Sequence, residues 1–423
     1  MSRSKFILLL ALLVLVAVPV AVEAQSPQPV LISAVIPEGT GTAVISDDAA
    51  QSDKITVTMT GVTAPAAGSS YEGWVISDDG SEKLSTGVMS VDVEGAISHV
   101  YDSNSPGYTG KNLIATSSTF VITVEPVPDS DPGPSGNVAF GYAIPAAGMA
   151  HIRHLLTDWP PGEGPGIFNN LKAQLDIAIR HAELSAASDT IEAVHTHMKH
   201  VINIIEGVDG ANFFTDEANP GDGLGIIAHA QDSKHGPFAA SALPDDTVIA
   251  EHALLVKASG DNVEAWANTA RDIALTVIGT SNLTLAKIFV GPGGNTVVST
   301  LMAARTGFDA DGNGVIGSGA GEGGANQAYV EAQLMATYTL APGAPVAPVA
   351  PVAPEPTATP VPPTPIPDPT ALPSSAQPTA PGLPGVGDAS VPLMAQLALL
   401  AAIVLLGTGG IFMVRGRRSK TSI

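Results

Sequence analysis

Three of the chain's ten histidines fall within six residues, in the stretch AVHTHMKHVINIIEG at 193–207. Neutral imidazole is a ligand for zinc, copper and iron, so such a cluster raises metal chemistry first. The chain contains no cysteine, which excludes thiolate metal sites and covalently attached c-type haem and leaves imidazole and carboxylate as the main donors. On a helix whose seam runs through Ile191, Val194, Met198, Val201 and Ile205, His197 and His200 share one flank, and His195 lies on the other side. Neighbouring segments offer more. His181 stands on the shoulder of a seam through Leu171, Leu175, Ala178 and Ala182, and His252 falls within the arc of Val248, Ile249, Leu255 and Val256. Nearer the start, His151 and His154 share one flank of a helix around Ile152, Leu155 and Trp159. One reading is a transition-metal or b-type haem site between facing helices, built from His181, His197, His200 and His252. Glu183, Glu192, Glu206 and Glu251 lie close by in sequence. A second gives each histidine to a backbone carbonyl or a carboxylate, and a third makes them a surface pH sensor. The HExxH spacing of metalloproteases is absent.

A second set of donors is acidic. In DADGNGVIG at 309–317, Asp309, Asp311 and Asn313 stand at alternate positions, Gly314 follows, and Ile316 supplies an apolar position. This resembles the front half of an EF-hand or dockerin calcium loop, which implies oxygen ligation of a hard cation. The sequence departs from that pattern at the twelfth position, where Ala320 stands and Glu322 comes two residues late. Bringing Glu322 in requires the flanking GSGAGEGG to bend back. The alternative is an Asx-turn loop with no ion. No GxSxG elbow or P-loop occurs, no GxGxxG follows a strand, and no catalytic residues are assigned.

The elements that must position these groups change character along the chain. Helical periodicity runs through 146–159, 166–187, 189–206, 246–258, 261–280 and 324–338, with Asp189 and Glu192 as a capping box for the third and Asp245–Asp246 opening the fourth. Short connections and abundant alanine make residues 143–341 an α-helical bundle. Residues 27–142 read as β instead. PVLISAVI (29–36), KITVTMT (54–60), YEGWVIS (71–77), STGVMSV (85–91) and STFVITVEP (118–126) are separated by turn-forming clusters, a spacing that predicts an antiparallel β-sandwich. Within it, YEGWVISDDG (71–80), GVMSVDVEGAISH (87–99) and FVITVEPVPDSDPGPSG (120–136) resemble, in this order, the extracytoplasmic domain of anti-sigma-K factors. The resemblance implies that family's fold and a location outside the cytoplasm. It does not extend to the cytoplasmic sigma-binding domain of such factors, because this chain opens on a signal peptide instead.

The ends set the expected location. Residues 1–24 carry Arg3, Lys5, the apolar run FILLLALLVLVAV and a small-x-small pattern ending at Ala24, which reads as a secretory signal peptide. Residues 342–388 form a proline-rich linker; sixteen of the forty-three residues from 342 to 384 are proline. Fully extended at about 3.1 Å per residue, that segment reaches about 130 Å. It ends in LPGVG, which resembles a sortase signal of the LPxTG type with Val386 in place of threonine. Residues 391–414 are uncharged and long enough to span a bilayer, and RGRRSK begins the basic tail at 415–423. Forty acidic against eighteen basic residues give a net charge of −22, which argues against nucleic acid as a partner. The expected protein is therefore multidomain α+β: an N-terminal antiparallel β-sandwich, an α-helical bundle, a proline-rich stalk and one C-terminal transmembrane helix. It is expected as a single-pass type I cell-membrane protein with an extracellular domain. Its expected role is a non-enzymatic surface or envelope binding protein, meeting the cell wall or an extracellular ligand and aided by calcium. A metal- or haem-binding surface module and an envelope-stress sensor of anti-sigma type are the alternatives.

Overall fold

The computed structural model describes residues 37–162 and 164–345. The signal-peptide, membrane-span and basic-tail assignments, the 29–36 strand and the linker beyond residue 345 lie outside them. Among the described residues no helix is long and apolar enough to cross a membrane.

The β part comprises β1 (Thr40–Ser46), β2 (Lys54–Thr60), β3 (Ser69–Ser77), β4 (Lys83–Met89), β5 (Ile97–Tyr101), a single helical turn α1 (Leu113–Thr116), β6 (Ser117–Pro126) and β7 (Val138–Ala143). The helical part follows as α2 (Ala146–Leu156), α3 (Ile167–Ala187), α4 (Ile191–Glu206), α5 (Ile226–Gln231), α6 (His235–Ala242), α7 (Thr247–Ile278), α8 (Leu283–Val290), α9 (Val297–Thr306) and α10 (Ala325–Leu334). The chain then returns to the sheet as β8 (Tyr338–Pro342). The fold is thus α+β, with an antiparallel sheet and a helical bundle.

Alternation of buried and exposed side chains makes the strands. Ile55, Val57 and Met59 of β2 face inward while the residues between them face out or lie half-buried. The strands form one antiparallel eight-stranded sheet in the order β4-β3-β6-β7-β8-β1-β2-β5. It curls until its edges meet, where Nε2 of His99 in β5 lies 2.7 Å from the Thr86 carbonyl of β4. The expected sandwich is therefore one continuous sheet, because β8 pairs with β1 on one side and β7 on the other. This moves a boundary: residues 338–341, assigned by sequence to the bundle, are strand. The bundle is an insertion between β7 and β8.

One apolar core runs through sheet and bundle, from Ile45, Ile122 and Phe140 to Leu171, Met198 and Val263. Polar ties reinforce the junction. Arg153 of α2 donates from Nε to the Ile114 carbonyl and from Nη1 to Asp78. Tyr329 and Gln333 of α10 donate to Asp47, just beyond β1.

The helices differ from the sequence expectation in two instructive places. Thr247–Ile278 form one long helix, α7, where two were expected over 246–258 and 261–280. Gly260, between the two expected segments, packs closely inside it: a Cβ on it would lie 2.2 Å from Oγ of Ser233. The cap of α4 is Thr190, whose hydroxyl accepts from the Ala193 amide, rather than Asp189. Asp246 does cap α7, accepting from the Ile249 amide.

Candidate metal centres

α3 and α4 form a tightly connected antiparallel hairpin, closed by a hydrogen bond from Oγ of Ser185 to the Val194 carbonyl. Its interior is the expected pair of seams: Leu171, Leu175, Ala178 and Ala182 of α3 against Val194, Met198, Val201 and Ile205 of α4, all fully buried. His181 flanks one seam, and His197 and His200 flank the other, one turn apart. The hairpin turns all three rings toward one point. Nδ1 of His181 lies 3.3 Å from Nδ1 of His197 and 3.3 Å from Nδ1 of His200.

These distances carry chemical information. A neutral ring nitrogen has one in-plane position, holding either a proton or a lone pair. Nδ1 of His181 can therefore satisfy one hydrogen bond, yet it meets two nitrogens. A metal ion at that point would resolve the surplus. With metal–nitrogen bonds of about 2.0–2.1 Å, tetrahedrally disposed nitrogens are separated by about 3.3–3.4 Å. The protonation state suits this as well. Burial, together with repulsion from His200, His197 and Arg180, pushes His181 down to about 4. Burial first, and for His197 also the neighbouring His200, lowers the other two. All three are thus held in the neutral form that a metal requires.

Surrounding residues fix the hairpin's far end. Asn203, fully buried, brackets Phe214 by accepting from its amide at 2.7 Å and donating to its carbonyl at 3.0 Å. Glu206 accepts from both the amide and the carboxamide of Asn212 at 2.7 Å. Gly207 ends α4 at φ +71°, where a Cβ would lie 2.2 Å from the Leu224 carbonyl oxygen. This folded loop delivers Glu217 to the site, with its Oε2 3.9 Å from Nε2 of His200. The residues His197, His200, Asn203 and Glu206, spaced by three along α4, are thus two members of the histidine cluster followed by two loop clamps.

Four histidines are already satisfied by oxygen. Nε2 of His195 meets the Thr280 carbonyl at 2.9 Å, and His99 meets Thr86. His229 meets Asp222 at 2.7 Å. His252 meets Oε2 of Glu331 at 2.6 Å, and Glu331 also accepts from Ser318. This corrects the sequence assignment of His252. It faces the core as expected, but toward α10, where it is paired with a carboxylate and does not join His181, His197 and His200. The remaining three histidines, His151 and His154 of α2 with His235 of α6, form a second cluster whose donor atoms all lie within 4.8 Å of one another. Sequence reading placed His151 and His154 on one flank but missed His235, which begins a helix too short to show periodicity. The shared HxxH spacing, HIRH at 151–154 and HMKH at 197–200, is the signal that links the clusters.

The acidic loop folds back on itself. Donor oxygens of Asp309, Asp311 and Glu322 lie within 4.8 Å of one another. Asp309 accepts from the amides of Gly312, Asn313 and Gly314, and Asn313 accepts from Val315. Glu322 accepts from the Gly317 amide, which brings it back over the loop.

Compared with known families, residues 6–138 match the model described as anti-sigma-K factor rskA, C-terminal. The match ends where β7 begins, so the inserted bundle with both histidine clusters, and β8, lie beyond it. No curated protein and no solved structure matches the chain.

Proposed function

We propose that this chain is a non-enzymatic, extracytoplasmic transition-metal-binding module, in which His181, His197 and His200 hold a zinc or copper ion. The observation that carries this reading is the pair of 3.3 Å contacts converging on Nδ1 of His181. An ion fits better than haem, because three nitrogens so close together leave no room between them for a porphyrin plane. Three protein ligands leave one coordination position for water or a partner's donor atom. In this reading the signal peptide, proline-rich stalk and C-terminal span display the module on the outer face of a membrane.

A second reading is favoured by the match of residues 6–138 to an anti-sigma-K factor domain. There the β part serves an envelope-stress pathway and the inserted bundle supplies the sensed event, with metal occupancy as the signal.

The test is elemental analysis of the full-length chain, purified without affinity histidines, before and after exposure to zinc or copper. A bound transition metal that is lost in His181→Ala and His197→Ala supports the reading. A chain that binds neither ion and melts at the same temperature with and without them refutes it.

A further inference from the structure

His151, His154 and His235 lie on α2 and α6, helices that pack on each other and share no ligand with the α3–α4 hairpin. Nδ1 of His235 stands 3.0 Å from Nδ1 of His151 and 3.2 Å from Nδ1 of His154. The surplus seen at His181 recurs: one ring nitrogen meets two others and can bond to only one. Around an ion with bonds of about 2.0–2.1 Å, these separations correspond to angles of about 95–105°. His235 is 6% exposed, so its ring is committed to this cluster rather than to solvent. Trp159 closes one side, its ring centroid 4.7 Å from that of His235 and 5.1 Å from that of His154. Phe238 closes another, 5.6 Å from His151 and 5.5 Å from His235. Burial and the proximity of His154 and His151 push His235 down to about 4, and burial lowers both partners.

The construction is the one seen in the α3–α4 hairpin. Two histidines three residues apart on one helix meet a third from a packed neighbour, all through Nδ1. It appears twice, on different helices, each time from an HxxH pair that meets a histidine of another helix.

We infer that His151, His154 and His235 form a second, independent site for a borderline-soft divalent transition-metal ion, Cu2+ or Zn2+, walled by Trp159 and Phe238. The inference does not rest on the first site, and Trp159 supplies its readout. Cu2+ bound within a few ångströms of an indole quenches its fluorescence.

Cu2+ titrated into the full-length chain should therefore quench tryptophan emission and reach two ions per chain. His154→Asn should remove the quench and one equivalent of copper. His200→Asn should remove the other equivalent and leave the quench. Trp159→Phe should retain both ions and lose the quench, which covers the case in which a histidine variant fails to fold. Should the site at His181 bind nothing, the wild-type chain still takes one copper with quenching, and this inference stands while the first falls. Copper taken up without loss of Trp159 emission, or a quench that survives in folded His154→Asn, overturns it.

Discussion

Nε2 of His200 faces Oε2 of Glu217 at 3.9 Å, across the ring from the Nδ1 that meets His181. Under the proposed coordination through Nδ1, the ring proton of His200 would sit on Nε2, and a closure of about 1 Å would let Glu217 accept it. Such an outer carboxylate orients the ring and raises its basicity, and its loss typically weakens metal binding about 10–100-fold. Glu217→Gln should therefore lower zinc affinity by that factor without changing stoichiometry, as read by competition with a chromophoric chelator. Unchanged affinity would reduce Glu217 to a surface partner of Lys199, whose Nζ is 3.7 Å from its Oε1.

The lowered histidine pKa values give the metal-free protein a pH dependence of definite sign. His181 and His235 titrate at about 4 when folded and near 6.5 when unfolded. Below about 6.5 the unfolded chain takes up protons that the folded chain refuses. Stability is thus complete above that pH and declines as pH falls toward 4. The metal-free chain should melt at a lower temperature at pH 5 than at pH 7.5, a window above most carboxylate titration. His181→Asn and His235→Asn should each flatten the dependence. Slopes equal to wild type in both variants would remove the buried neutral histidines as its cause.

What the sequence made legible was local. The α3 and α4 seams and the flank shared by His197 and His200 follow from one helical period. The closing of Glu322 onto Asp309 could be posed as a question because the loop is short. What it concealed depends on tertiary partners. His252 lies on an apolar face, and nothing nearby in sequence reveals that Glu331 waits 79 residues later. His235 joins His151 across 84 residues from a helix of eight. The single helix α7 runs through Gly260, a poor helix former whose lack of a side chain admits Ser233 from a distant segment. The strand β8 is five residues long, and its role comes from the two strands it joins.

Asn203 tests whether the loop clamp is separable from the ligands. Its buried carboxamide satisfies the amide and carbonyl of Phe214. Asn203→Ala leaves both groups without it and should cost about 1–3 kcal/mol in urea denaturation. The variant should still bind one ion at His181, more weakly through a less well placed Glu217. Complete loss of metal from a folded variant would instead make the loop itself a source of ligands.

For the loop at 309–322, the calcium reading makes Glu322 the critical residue. Calcium in the millimolar range, typical of extracellular modules, should raise the melting temperature by mass action. Glu322→Gln should abolish the increment while leaving transition-metal binding intact. A melting temperature indifferent to calcium would leave Asp309 as a turn residue holding the amides of Gly312, Asn313 and Gly314.

Tyr338 tests the insertion. It is fully buried, stacks on Phe120 with ring centroids 5.9 Å apart, and pairs with Ala43 across β1. Its hydroxyl has no hydrogen-bond partner among the described residues. Ring and hydroxyl should therefore act in opposite directions. Tyr338→Ala removes an aromatic ring from the core where β8 joins the two halves of the sheet, and should cost about 3–5 kcal/mol. Because the same core continues into the bundle, sheet and bundle should unfold together in one transition. Tyr338→Phe deletes only an unpaired buried polar group and should leave stability equal or higher. Separate transitions for sheet and bundle in the alanine variant would mean that β8 closes the sheet without coupling it to the inserted helices.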